Sequence, residues 1–182
     1  KRNYLPSWRE IHTIIFDFDG IFTDNNVYLG EDGKEIVKCS RADGLGLDML
    51  RKFIIKKKWN VRYFILSKEK NPVVLARAKK LKIDCIHGVD NKLFFIKEYI
   101  KDNKYKESEF KKGSIYLGND LNDYEVMHYC GTSVAPKDSH KIIIKNANIV
   151  LNRKGGDGFV REFIEKLISC NNLSEDGFLD LI

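Results

Sequence analysis

The apolar positions of this chain fall in short runs between polar turns, and the runs alternate between two periods. Ile11, Ile14, Ile15 and Phe16 make 11–18 a buried strand, and Gly20 follows at a turn. Two further strands, 27–29 and 35–38, flank Gly30-Glu31-Asp32-Gly33, whose glycines supply the backbone freedom of a hairpin. Over 43–56 the period becomes helical, carried by Leu45, Leu47, Met49, Leu50 and Phe53, with Asp43 as the expected N-cap. Residues 61–66 read as the next strand. Asn71-Pro72 opens a helix through Leu81, with Pro72 in the first turn, where its missing N–H is tolerated. A short strand at 84–86, a helix at 91–100, a strand at 114–117 and a helix from about 121 to 128 follow. Segments 132–134, 142–145 and 149–151 continue the alternation, and 159–168 is a final helix. Such alternation predicts an α/β fold: a three-layer, Rossmann-like parallel sheet with helices on both faces. In such sheets ligands bind beyond the carboxyl ends of the strands.

Composition narrows this further. With 182 residues, 43% of them apolar, the chain can bury one substantial core, so residues 1–182 are expected to form a single domain. Only 3 prolines occur, and no Gly/Ser-rich linker, low-complexity stretch or internal repeat is present. No apolar run is long enough to span a bilayer and no signal-peptide pattern opens the chain, so no membrane partner and a cytoplasmic location are expected. The chain opens on Lys1 rather than Met, which leaves open that it was cut from a longer protein. Cys39, Cys85, Cys130 and Cys170 form no C-x-x-C pair, which argues for isolated thiols in a reducing compartment. His12, His87, His128 and His140 show no metal spacing. The net charge of +6 is modest, and the runs Lys56-Lys57-Lys58 and Lys111-Lys112 lack interleaved exposed aromatics. A nucleic-acid surface is therefore not expected, whereas an anionic small substrate is compatible.

Polar residues cluster where strands end. After the first strand come Asp17-Phe18-Asp19-Gly20 and then Thr23-Asp24. Carboxylates at i and i+2 share one face of a strand, and their repulsion asks for a cation or a shared proton. Capping of a turn is the alternative for this segment taken alone. Ser67 follows the 61–66 strand, where its hydroxyl can bond a phosphate oxygen or serve an ordinary turn. Lys92 opens a helix, a position the helix dipole disfavours, so it marks a nearby anion or a solvated side chain. After the 114–117 strand comes Gly118-Asn119-Asp120-Leu121-Asn122-Asp123, an oxygen-rich segment suited to metal ligation or to helix capping.

Taken together and in this chain order, these four segments resemble the haloacid dehalogenase superfamily of phosphatases. The opening hhhDFDGhhTD pattern carries most of that likeness, which runs from about Ile11 to Ile168. A closer resemblance, to a small branch without a large cap domain, rests on Arg41-x-Asp43-Gly44-x-Gly46, Leu66-Ser67-Lys68-Glu69-Lys70-Asn71-Pro72, Gly88-x-x-x-Lys92 and Gly155-Gly156-x-Gly158-x-x-Arg161-Glu162. This branch includes 3-deoxy-octulosonate 8-phosphate phosphatases, phosphatases of nine-carbon sugar acids, and domains fused behind acylneuraminate cytidylyltransferases. Tyr4-Leu5-Pro6-x-Trp8 is similar to the start of those fused domains.

The resemblance implies that Asp17 is the nucleophile and becomes an aspartyl phosphate. Asp19 would protonate the leaving oxygen and then deprotonate the attacking water. Ser67 and Lys92 would hold the phosphoryl oxygens. Magnesium is the implied cofactor, with Asp17, Asp19, Asn119 and Asp120 as its candidate ligands. Asn119 stands where the superfamily has aspartate, so either Asn119 or Asp120 is the direct ligand. Thr23, Asp24 and Asp123 would support the site.

The same resemblance implies a β-hairpin flap at about 26–38 in place of a cap, and a homotetramer with packed hairpins. Each site would be covered by a neighbour, with Gly155–Gly158 and the tail at about 170–182 helping to close it. Arg41, Lys68, Glu69, Arg77 and Lys80 are the expected substrate contacts. Arg77 and Lys80, at i and i+3 on one helix face, can grip a sugar-acid carboxylate. Octulosonate phosphatases tend to carry Gly-Arg after the motif hydroxyl where this chain has Lys68-Glu69. A nonulosonate (sialic acid-like) 9-phosphate is therefore expected over 3-deoxy-octulosonate 8-phosphate. A non-catalytic tetramerisation domain of a cytidylyltransferase is the reading from a different class.

Overall fold

A computed structural model of the chain describes residues 4–169 and 172–182; Cys170 lies outside the described residues. Its centre is a six-stranded sheet made of β1 (Thr13–Phe16), β4 (Arg62–Leu66), β5 (Asp84–Ile86), β6 (Ser114–Leu117), β7 (Thr132–Ala135) and β8 (Ile149–Val150). The strand order is β5-β4-β1-β6-β7-β8 and every pairing is parallel. The expected α/β architecture is thus observed.

Side-chain alternation explains why these strands sit in the middle. Ile14 and Phe16 of β1, Ile65 of β4, and Ile115 and Leu117 of β6 point into one apolar cluster. Ile15, Phe64, Leu66 and Tyr116, the intervening residues, point into the other. A strand apolar on both faces can only be satisfied between two helical layers. One layer holds α1 (Arg41–Lys57), α2 (Val73–Leu81) and α7 (Phe159–Leu167), through Leu47, Leu50, Val74, Phe163 and Ile164. The other holds α3 (Lys92–Asp102), α4 (Glu107–Gly113), α5 (Tyr124–Tyr129) and α6 (Lys141–Asn146), through Ile96, Phe110, Met127 and Ile143.

Between β1 and α1 the chain forms only the hairpin β2 (Thr23–Leu29) and β3 (Glu35–Cys39), a separate two-stranded sheet. β2 begins before the expected 27–29 because Thr23 already pairs with Cys39, with a register shift between Thr23 and Val27. Val27, Tyr28, Leu29 and Ile36 on this hairpin are exposed apolar residues.

Two expectations need correction. Asp43 is not the N-cap of α1; Ser40 is, accepting the Ala42 N–H on its hydroxyl, and Asp43 lies buried one turn inside. Residues 121–128 are a 3-10 turn at Leu121–Asp123 followed by α5, because Asp120 and Asp123 form a capping box that tightens the start. Residues 172–182 form α8 (Glu175–Leu179) and fold back on α1 of the same chain. Leu181 is buried in the core, Lys56 pairs with Asp180 at 2.6 Å, and Lys52 donates to the Ile182 carbonyl.

Candidate active site

The chain runs outward from β1 through β4 to β5, then returns to β6 on the other side of β1. Loops leaving β1 and β6 therefore part in opposite directions and open a crevice at the carboxyl edge. The backbone ladder continues one residue past each strand: Asp17 N–H donates to Leu117 O at 2.9 Å and Ser67 N–H to Ile86 O at 2.9 Å. Asp17 and Ser67 thus leave the sheet held by main-chain hydrogen bonds.

Lys92 enters from the first turn of α3, whose N-cap Asn91 accepts the Phe94 N–H at 2.8 Å. Its Nζ lies 2.7 Å from Asp17 Oδ1 and 2.7 Å from Asp123 Oδ1, and all three side chains are buried. These two carboxylates offset the cost of a lysine at a helix N-terminus. Tyr116 completes the group, its hydroxyl donating to Asp123 Oδ1 at 2.8 Å. Asp123 Oδ2 accepts the Asn119 N–H at 2.9 Å, so one carboxylate ties together α3, β6 and the loop after it. Tyr116 was missed by sequence reasoning. Its signal was a phenol inside a strand buried on both faces, where the hydroxyl needs a partner.

The electrostatics follow from burial. Burial, with Asp123 close by, pushes the Asp17 carboxyl up to about 8, only partly offset by Lys92 and the Phe18 N–H. Burial works against the charge on Lys92, but Asp17 and Asp123 outweigh it and raise its pKa. Burial and the Glu69 carboxylate raise Asp19, while the Thr23 hydroxyl, 3.4 Å away, opposes this. Asp17 Oδ1 accepts from both Lys92 and the Phe18 N–H at 2.7 Å. Its Oδ2 is the oxygen left without a hydrogen-bond donor among the described residues.

A cavity of about 480 Å³ opens onto these groups, lined by Asp17, Asp19, Ser67, Lys68, Glu69 and Asn122, among others. Glu69 turns its carboxylate back onto the N–H groups of Lys70 and Asn71, both at 2.7 Å, and so shapes the loop. Asn71 in turn donates to Glu35 Oε2 at 2.8 Å, tethering the hairpin to the cavity rim. Asp24 sits at the hairpin base, 3.6 Å from Lys38 Nζ, and does not line the cavity. Within one chain, Arg41, Arg77 and Lys80 do not line it either. Arg77 is half-buried and donates to the Ser40 carbonyl at 2.8 Å, bracing the start of α1. Lys80 and Arg41 are exposed.

The residues present fit a hard cation. Among the described residues no group of three or more His, Cys, Asp or Glu side chains is arranged to hold a metal. Magnesium, however, also takes amide and main-chain oxygens. Asn119 Oδ1 is buried with no hydrogen-bond partner, while its side-chain nitrogen lies where a Cβ on Gly20 would sit. An orphaned buried oxygen packed against Gly20, in the turn after Asp17, is what a cation ligand looks like without its ion. Asp120 instead spends Oδ1 on the Leu121 N–H at 2.7 Å.

Comparisons with known proteins agree with this geometry. A family model described as haloacid dehalogenase-like hydrolase matches residues 55–163. The chain is 30% identical over 159 residues to the 3-deoxy-D-manno-octulosonate 8-phosphate phosphatase of Salmonella typhi, covering 87% of this chain and 79% of that protein. Among solved structures, a HAD family hydrolase from Streptomyces avermitilis superposes with a TM-score of 0.82 at 35% identity, covering 94% of this chain and 99% of that one. The octulosonate phosphatase of Moraxella catarrhalis, solved with magnesium, phosphate and a KDO molecule, gives 0.78 at 26% identity, covering 94% and 93%. The fold, the paired aspartates after β1 and these matches over most of its length place the chain in the haloacid dehalogenase-like hydrolase family.

Proposed function

We propose that the protein is a magnesium-dependent phosphatase that transfers a phosphoryl group through Asp17, with residues 1–182 acting as one hydrolase domain. The buried Asp17–Lys92–Asp123 group, open to a cavity shared with Asp19 and Ser67, carries this reading. Lys92 and the Phe18 N–H hold Asp17 Oδ1, so Oδ2 attacks phosphorus in line and the bond to the sugar oxygen breaks. Asp19, whose carboxyl pKa is shifted upward by burial, gives its proton to that leaving oxygen. The ionised Asp19 then takes a proton from the water that attacks the aspartyl phosphate, which returns Asp17 and releases phosphate. Ser67 and Lys92 orient the phosphoryl oxygens. When bound by Asp17, the Asp19 carbonyl and Asn119, magnesium would supply the positive charge that keeps Asp17 ionised and neutralises phosphate. The free Oδ1 of Asn119 favours it over Asp120 as the ligand. The intact group around Asp17 speaks against a purely non-catalytic assembly domain.

The substrate is a small sugar-acid phosphate. Lys68-Glu69 after Ser67 supports a nonulosonate 9-phosphate, with Lys68 at the cavity rim as the cationic contact. The name of the relative 30% identical to this chain supports 3-deoxy-octulosonate 8-phosphate as the second reading. Exposed Val27, Tyr28, Leu29 and Ile36 support hairpin packing in a homotetramer, through which Arg77, Lys80 or Arg41 of one chain would serve another. No helix among the described residues is long and apolar enough to cross a membrane. The free thiols Cys39 and Cys85 suit a reducing cytoplasm.

Phosphate release with magnesium from a panel of nonulosonate 9-phosphates, octulosonate 8-phosphate and hexose phosphates tests this. Preference for a sugar-acid phosphate is expected. Equal or better turnover of hexose phosphates would overturn the substrate class, and release from none would overturn the phosphatase.

A further inference from the structure

α7 begins without a cap of its own. Its Ncap residue, Gly158, makes no side-chain bond, and the first N–H groups of any helix lack partners within it. The acceptor comes from α1. Asp43 is fully buried, and its Oδ1 accepts the Arg161 N–H at 3.0 Å. The two helices touch closely here: a Cβ on Gly46 would come within 3.0 Å of Arg161 Cα. Asp43 thus sets where α7 starts relative to α1.

The turn just before α7 presses on the segment that follows Asp17. A Cβ on Gly155 would lie 1.9 Å from the Gly20 carbonyl oxygen, and one on Gly156 2.4 Å from the Thr23 carbonyl carbon. Gly156 N–H donates to Ile21 O at 3.1 Å. Within that segment the Thr23 hydroxyl accepts the Gly20 N–H at 3.1 Å and reaches Asp19 Oδ1 at 3.4 Å. Contacts therefore run without a break from Asp43, through the start of α7 and the Gly155–Gly156 turn, to Asp19.

We infer that Asp43 is a positioning residue for Asp19: by fixing the start of α7 it seats the Gly155–Gly156 turn against residues 20–23 and so sets where the Asp19 carboxyl stands. The inference rests on the reading of Asp19 as proton donor to the leaving alcohol. Ser67, just after β4, and Lys92, on α3, lie off this path; Gly20 packs against Asn119, so the test is run at saturating magnesium, where the effect falls on proton transfer and not on holding phosphate.

The test compares alkyl phosphates (N-acetylneuraminate 9-phosphate and octulosonate 8-phosphate) with p-nitrophenyl phosphate, whose leaving group departs without a proton. Single-turnover rates with magnesium are measured for Asp43→Ala, Asp43→Asn and Gly155→Ala, with Asp19→Asn as reference. We expect Asp43→Ala and Gly155→Ala to slow alkyl phosphate cleavage roughly ten- to hundredfold, the size expected of a misplaced group. Their KM and their first-turnover release of nitrophenolate should hardly change. Asp43→Asn, which keeps an acceptor for Arg161 N–H, should recover most of the loss. An equal fall for both substrate types in folded Asp43→Ala would overturn the inference, because a merely structural defect acts on both alike. If Asp43→Ala does not fold, Gly155→Ala decides by the same comparison. If Asp19→Asn splits the substrates while the Asp43 and Gly155 variants do not, the inference fails and the role of Asp19 stands. If Asp19→Asn shows no split, the role of Asp19 and the inference fall together.

Discussion

At the scale of single residues, a lysine with two buried carboxylates dominates the site. Lys92→Met leaves Asp123 buried without its counter-charge and Asp17 without the lysine as hydrogen-bond donor. Breaking such a group costs roughly 3–5 kcal/mol, so urea denaturation should show a loss of that order alongside loss of phosphatase activity. Asp17 gives a pH signature. The folded protein without metal keeps this proton up to about pH 8, whereas an unfolded carboxyl releases it near 3.8. Between those values the folded state binds more protons, so stability without metal falls as pH rises from about 4 to 8. Magnesium competes with that proton, so thermal melts should show a larger magnesium-induced rise in Tm at pH 8 than at pH 5; a rise that shrinks toward pH 8 would contradict this. The positions of Asp17, Asp19, Ser67 and Lys92 after strands or at a helix start were legible in the sequence, and the family resemblance was what grouped them. Tyr116 and the hydrogen bonds of Arg77 were not, since a strand's alternation gives a side chain's face but not its partner.

At the scale of elements, the site depends on loops that approach each other at backbone distance. Gly20 has φ +72, and a Cβ there would sit 1.9 Å from the Asn119 side-chain nitrogen. Gly20→Ala should therefore lower stability by at least about 1–2 kcal/mol from the backbone alone and weaken magnesium binding measured by calorimetry. The strands read at 84–86 and 114–117 match β5 and β6, and β6 ends where Gly118 opens the oxygen-rich segment. Periodicity missed α4 and α8, short helices whose apolar anchors, such as Phe110 and Phe178, are too few to show a period. It also placed the start of α1 at Asp43, since a buried aspartate that caps another helix looks, in sequence, like one that caps its own.

At the scale of the whole molecule, the parallel sheet brings Asp17, Ser67, Lys92 and Asn119, far apart in the chain, to one carboxyl edge. That convergence follows from the β1–β6 return; alternation predicted a parallel sheet with its site at the carboxyl edge, whereas the strand order came from the structure. The exposed apolar hairpin belongs to this scale too. On the homotetramer proposed above, Ile36→Glu should reduce the mass measured by light scattering without changing the circular dichroism spectrum; a monomeric mass for the unaltered chain, or an unchanged mass for the variant, would contradict hairpin packing. The central claim is that phosphate passes through Asp17. It is tested most directly by acid-quenching the enzyme during turnover with magnesium and a sugar-acid phosphate, reducing with borohydride and sequencing the peptides by mass spectrometry. The account predicts homoserine at position 17, and neither this product nor phosphate release from Asp17→Asn. Sustained turnover by Asp17→Asn, or a reduced acidic residue elsewhere in the chain, would contradict it.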